Sequence, residues 1–233
     1  MKKLIYTDGA SSGNPGPGGY AAVITDGEHV LEIGGYEEKT TNNRMELKAA
    51  IEALKKTEIA DSVKIITDSS YMVNGITQWI EGWVAGGWMT KGKIPVSNKD
   101  LWQELYALVK DRGVEWRIVK GHASTSGNNR VDMLATTLST DVLPNFYNGP
   151  KSEYKIDLTE PTEAQVMLDK KQFKKAGKNT QAYSYLSFFD GKLEKHKTWA
   201  ECESRVKGKS GVKFRKSVSA EDEIEIMRSW GLK

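Results

Sequence analysis

"NNRMELKAAIEALKKTEIADSVKIITD", residues 42–68, changes its period halfway. Leu47, Ala50, Ile51 and Leu54 share one face at helical spacing. The "SVKIITD" that follows is an apolar run long enough only for a buried strand, and it ends on Asp68. Upstream, "KKLIYTD", "YAAVIT" and "VLEIGGY" are short, β-rich and parted by Gly or Asp turns, which predicts an antiparallel meander of three strands. A helix set between that meander and a buried strand makes the sheet mixed, with helices packed on its faces. Downstream, Ile76, Trp79, Ile80, Trp83 and Val84 predict an amphipathic helix. A Gly-rich loop, the helix "KDLWQELYALVKDR" and a fifth strand, "VEWRIV", come next. A last helix runs from near Gly127 through "RVDMLATTLS". The expected fold is α/β: a mixed five-stranded sheet flanked by helices.

At 233 residues the chain is long for one domain and suits one of about 140 residues plus a smaller one. One cysteine, Cys202, excludes an intrachain disulfide and suits a reducing compartment. The N-terminus lacks a signal-peptide core, and no apolar stretch approaches the ~20 residues that span a bilayer. The expectation is a soluble cytoplasmic protein that does not act at a membrane. The net charge of +3 hides an asymmetry: residues 1–150 hold 16 Lys and Arg against 18 Asp and Glu, residues 151–233 hold 18 against 13. The C-terminal part is the expected contact for a polyanion.

After Thr140 the pattern weakens, and 141–180 reads as a connector that includes a helix between Thr162 and Gly177. From Gln181 a compact unit follows: a strand, an Asp190-Gly191 hairpin signal, a helix from "TWAECESRVKG", the strand "VKFRKS" and a final helix. The predicted organisation is a domain over 1–140, the connector 141–180 and a small α/β domain over 181–233.

Asp8, Glu46, Asp68 and Asp132 stand out. Each has an ordinary reading: a turn residue for Asp8, the far half of a capping box begun by Asn43 for Glu46, a helix N-cap for Asp68, a charge near a helix start for Asp132. Together, two end central strands and two lie in the first turns of helices that start near the same edge. Four acids there repel one another unless a cation lies between them. Oxygen ligands without His or Cys suit Mg²⁺ or Mn²⁺, as two ions about 3.5–4 Å apart that clamp the two oxygens of a phosphodiester displacement. The pliable "GASSGNPGPGG" after Asp8 lets backbone approach a ligand.

"TDGA" with "NPGPGG", "TTNNRMELKAAIEAL", "ITDSSY", "NGITQWIEGW", "DLWQELYAL" and "VKGHASTSGNNRVDMLA" closely resemble ribonuclease H of type 1 over residues 1–140. The resemblance implies a metal-dependent endoribonuclease that cuts the RNA strand of RNA/DNA hybrids and leaves 5′-phosphate and 3′-hydroxyl ends. It makes Asp8, Glu46, Asp68 and Asp132 catalytic and metal-binding, and His122 an aid to proton transfer or product release, for which an imidazole pKa near ~6.5 is apt. It assigns Gly9, Asn14, Asn43 and Glu46 to the RNA strand, and Lys39, Thr41, Asn42, Asn74 and Trp83 to the DNA strand. Where many bacterial relatives carry basic residues in a protrusion, this chain reads "EGWVAGGW", so the first domain alone is expected to grip weakly.

"TWAECESRVKGKSGVKFRKS" resembles the small hybrid-binding domain of eukaryotic type 1 ribonucleases H and viroplasmin-like proteins, although its second strand reads "EKHK" in place of a Gly and an aromatic. That resemblance assigns nucleic-acid contact to Trp199, Phe214, Arg215 and Lys216, and Cys202 reads as a buried apolar filler. The expected partner is an RNA/DNA hybrid and the expected state a monomer. Two competing readings, an integrase-like nuclease of the same fold and a non-catalytic hybrid binder, are opposed by the Lys-Gly-His loop and by the four intact carboxylates.

Overall fold

Ile5 and Tyr6 are neighbours on one strand and both fully buried, so helices or loops must cover both faces of their sheet. In the computed structural model that strand is β1 (Lys2–Ser11). The structure describes every residue except 91, 120–124, 163–182, 208, 210, 218–222, 224–225, 228–229 and 233. The chain divides into two compact units, Met1–Lys171 and Gln172–Lys233.

In the first unit, β2 (Gly16–Thr25) and β3 (His29–Thr40) complete the antiparallel meander. Helix α1 (Asn42–Leu54) leads to β4 (Ser62–Thr67), which pairs parallel with β1; β5 (Val114–Ile118) pairs parallel with β4. The face of Ile5 is covered by Leu47, Ile51 and Leu54 of α1, Met72 of α2 (Ser70–Asn74), Ile80 of α3 (Ile80–Ala85) and Trp102 of α4 (Lys99–Val109). The face of Tyr6 is covered by Val131, Leu134 and Leu138 of α5 (Ser126–Leu138). That helix starts so close over the strand that a Cβ on Gly127 would lie 2.7 Å from the Tyr6 ring.

The sheet has six strands where the sequence predicts five, in the order β5-β4-β1-β2-β3-β6. The sixth, β6 (Asn148–Pro150), pairs antiparallel with His29–Leu31. Three residues reading Asn-Gly-Pro carry no strand signal; tertiary pairing alone makes them one. The connector reading of 141–162 is corrected with it. Phe146, Tyr147, Tyr154 and Ile156 pack on the face of Tyr6, and Leu158 is buried there. The rest of the expected connector, with its helix after Thr162, lies outside the described residues.

A second difference concerns residues 76–84. Between α2 and α3 the chain makes a π turn, Gly75–Trp79, which is wider than an α turn and shifts the helical phase. Ile76 and Ile80 are buried and Trp83 packs half-buried on Trp102, but Trp79 and Val84 are exposed rather than part of the core stripe.

In the second unit, β7 (Ser184–Phe189) lies between β8 (Lys192–His196) and β9 (Lys213–Ser217), antiparallel to both. Asp190 and Gly191 turn the β7–β8 hairpin with φ of 52° and 71°, as their sequence predicts. Helix α6 (Trp199–Val206) opens with a capping box between Thr198 and Glu201 and buries Cys202 and Val206; Leu186 of the sheet is buried too. Among the described residues no helix is long and apolar enough to cross a membrane.

Candidate active site

The parallel ladder between β1 and β4 ends at Tyr6 opposite Ile66, and two more residues along both strands bring Asp8 level with Asp68. Helix α1 reaches the same edge because Gly9 has no side chain: a Cβ there would collide with the backbone of Met45 and Glu46. The N-cap of α1 is Thr41, whose hydroxyl accepts the Arg44 N–H at 3.4 Å. The capping-box reading of Asn43 with Glu46 therefore gives way, and Glu46 stands as the fifth residue of its helix. Asp132 is the seventh residue of α5, in the second turn rather than the first; Thr125 caps that helix by accepting the Asn128 N–H at 3.2 Å. Asp68 is not a cap either, since Ser69 caps α2 by accepting the Met72 N–H at 3.1 Å.

Asp8 is 8% exposed. Burial, then the charge of Asp68 and, more weakly, those of Asp132 and Glu46 push its carboxyl up to about 8, against a hydrogen bond of 2.7 Å from the Gly9 N–H that works the other way. Burial and the charge of Asp68 likewise push Glu46 up to about 7. Glu46 is held from both sides. Asn42 donates to Oε1 at 3.0 Å, and the Ser69 hydroxyl donates to Oε2. The role of Ser69 was missed in the sequence, although its place directly after Asp68, at a strand-to-helix junction, is the signal that would have found it.

Among the described residues no group of three His, Cys, Asp or Glu side chains stands arranged to hold one metal ion. The donor set nevertheless suits a hard cation. It is all carboxylate oxygen, its most buried member is held against its own charge, and Glu46 would bind an ion in exchange for the donors that now hold it.

Asn14 and Asn43 are exposed at the same edge as Gly9, and Lys39 is exposed at the end of β3. Asn42, assigned by resemblance to a DNA phosphate, gives a hydrogen bond to Glu46; Asn74 accepts one from Gln78 at 2.9 Å. Trp83 lies 5.3 Å from Trp102 and 5.7 Å from Trp79, ring centre to ring centre. His122 lies outside the described residues. In the second unit Trp199 packs between Tyr185 and Phe214, at 5.7 and 5.6 Å, while remaining 42% exposed, with Phe214 at 50%. Arg215 and Lys216 follow on β9 and are exposed, Lys216 on the face of Phe214 and Arg215 on the other.

A family model described as RNase H matches residues 1–140. The ribonuclease H of Polynucleobacter asymbioticus is 50% identical over 141 residues, 60% of this chain and 92% of that protein. That of Maricaulis maris is 54% identical over 132 residues, 56% of this chain and 89% of that protein. Among solved structures, LC9-RNase H1, a type 1 RNase H with the type 2 active-site motif, shares 30% identity at a TM-score of 0.57, over 67% of this chain and 82% of that one. Likeness of this degree spans nearly the whole of the relatives and includes the sheet edge with the four carboxylates, so the chain belongs to the RNase H family of endoribonucleases.

Proposed function

We propose that the chain cuts the RNA strand of RNA/DNA hybrids at the carboxylate edge and leaves 5′-phosphate and 3′-hydroxyl ends. One observation carries the reading: Asp8 is buried at a strand end among three like charges, an arrangement that costs stability until a cation joins it. Asp8, Glu46, Asp68 and Asp132 would hold two Mg²⁺ ions, with Mn²⁺ as the alternative. When bound, such ions activate water and neutralise charge on the leaving oxygen. The chain supplies the rest. Ser69 and Asn42 aim Glu46, the bare side of Gly9 admits α1 to the edge, and the Gly9 backbone serves the RNA strand, where only a near polar group can read a 2′-hydroxyl. Asn14 and Asn43 serve the RNA strand; Lys39, Thr41, Asn42, Asn74 and Trp83 serve the DNA strand, and His122 assists proton transfer or product release.

Residues 181–233 form the hybrid-binding part in this reading, and 1–140 the catalytic part. The support is the row of half-buried Tyr185 and exposed Trp199 and Phe214, with Lys216 on the same face of β9 and Arg215 exposed on the other: aromatic faces for sugars or bases and cations for phosphates.

The test is cleavage of a labelled hybrid by the full chain with Mg²⁺. Cleavage that Asp68→Asn abolishes, with hybrid binding retained, is the expected result. Failure of the unsubstituted chain to cut overturns the catalytic reading. Unchanged hybrid affinity in Trp199→Ala and Phe214→Ala overturns the role of the second unit.

A further inference from the structure

Glu32 is a buried carboxylate that the proposed chemistry does not use. Its side chain is fully buried, and four donors saturate its two oxygens. Arg130 Nε at 2.7 Å and the Tyr154 hydroxyl at 2.6 Å donate to Oε1. Arg130 Nη2 at 2.8 Å and the Tyr147 N–H at 3.0 Å donate to Oε2. The Glu32 N–H in turn donates to the Tyr147 carbonyl at 2.8 Å. Three elements meet at this carboxylate: β3, α5 and the segment 141–162, which lies beyond the span that the family model matches.

The same segment reaches the strands of two other site carboxylates. The Tyr6 hydroxyl donates to the Thr159 carbonyl at 2.8 Å, and Tyr6 stands two residues before Asp8, on the same face of β1. Lys64 of β4, four residues before Asp68, pairs with Glu160. On α5, Arg130 and Asp132 are two residues apart, about 200° around the helix axis. A clamp on Arg130 therefore bears on the rotation of α5 together with its buried Val131, Leu134 and Leu138, and with it on the side on which Asp132 stands towards Asp8.

We propose that residues 141–162 form a positioning strap: through Glu32, Arg130 and Tyr154 it sets the rotation of α5, and thereby how well Asp132 joins Asp8 around a divalent cation. The proposal rests on the reading of Asp132 as a cation ligand. Ligand sets work only within roughly 0.5 Å of their productive geometry, so a small rotation of α5 shows first as weaker cation binding.

The experiment compares the full chain with Tyr154→Phe and Glu32→Gln. Tyr154→Phe deletes one of the four hydrogen bonds and keeps the ring, whose centre is 4.9 Å from that of Tyr147. Mn²⁺ affinity is measured by calorimetry, alongside the Mg²⁺ concentration for half-maximal cleavage, KM for hybrid and the thermal midpoint. Tyr154→Phe is expected to weaken Mn²⁺ binding about three- to tenfold and to raise the half-maximal Mg²⁺ equally, with KM unchanged and rate restored at saturating Mg²⁺. Glu32→Gln is expected to go further in the same direction; if it does not fold, Tyr154→Phe decides. A lower thermal midpoint with unchanged cation affinity overturns the proposal, as does an equal loss in Leu105→Ala, which loosens the buried core at α4 instead. A chain that binds Mn²⁺ without cutting hybrid fails the functional reading alone; one that binds no cation fails both.

Discussion

Asp8 and Gly9 are adjacent on β1 and serve opposite faces, the carboxylate on the side of Tyr6 and the bare glycine on the side of α1. Gly9→Ala must push α1 away from the strand. It is expected to cost about 1–3 kcal/mol in urea unfolding and to slow cleavage, because Glu46 moves with the helix. Asp8 makes a prediction of opposite sign. Its carboxyl ionises near 8 in the folded chain against 3.8 ordinarily, so the metal-free folded state keeps a proton that the unfolded state releases, and stability falls as pH rises between those values. Asp8→Asn should therefore abolish cleavage yet raise the metal-free thermal midpoint at pH 8, by about 3 °C for each kcal/mol gained. Glu32 is again different: burial opposes its charge, but Arg130, Tyr154 and the Tyr147 N–H outweigh burial and hold its carboxyl below the usual range. Its contribution is present above the ordinary Glu pKa and is lost as pH falls below about 4, a slope that Glu32→Gln should remove from acid unfolding. That Asp8 and Asp68 end level at one sheet edge was legible because strand ends show in the sequence pattern, whereas the helical places of Glu46 and Asp132 were read one turn too early. The cap of α1 was not, since Thr41, Asn42 and Asn43 all suit that place. Glu32 was not either, since a lone acid in a strand carries no motif and its partners are 98, 115 and 122 residues away.

The elements that the sequence predicts best are those whose signal is local: the meander, α1, α4, α5 and the Asp190-Gly191 hairpin. The π turn at Gly75–Trp79 escaped because a run read at 3.6 residues per turn cannot show where the phase slips, and the slip is what leaves Trp79 and Val84 outside the core. The strap escaped because the alternation of Tyr154, Ile156 and Leu158 lasts only five residues and forms no strand, while Phe146 and Tyr147 stand outside it. Its weight is measurable. Leu158 is 3% exposed, so Leu158→Ala is expected to destabilise the first unit by about 2–5 kcal/mol in denaturant titration, a cost that a loose connector would not show.

Across the whole molecule, basic residues gather where the family match does not reach: residues 151–233 hold 18 Lys and Arg against 13 Asp and Glu. In the proposed hybrid-binding role, each phosphate contact made there would release counterions. Replacing Arg215 and Lys216 by Gln should weaken hybrid binding and make its salt dependence shallower by about 1–2 in log–log slope, with the maximal cleavage rate unaffected. The family boundary at 140 and the physical boundary of the first unit do not coincide, and β6 shows what lies between them. A fragment ended at 140 loses the three residues that pair with His29–Leu31, and so bares hydrogen-bonding groups on a strand of twelve residues. An uncovered margin of this kind templates pairing with a second chain. Such a fragment should scatter light in proportion to its concentration, while one carried through 162 should stay dispersed.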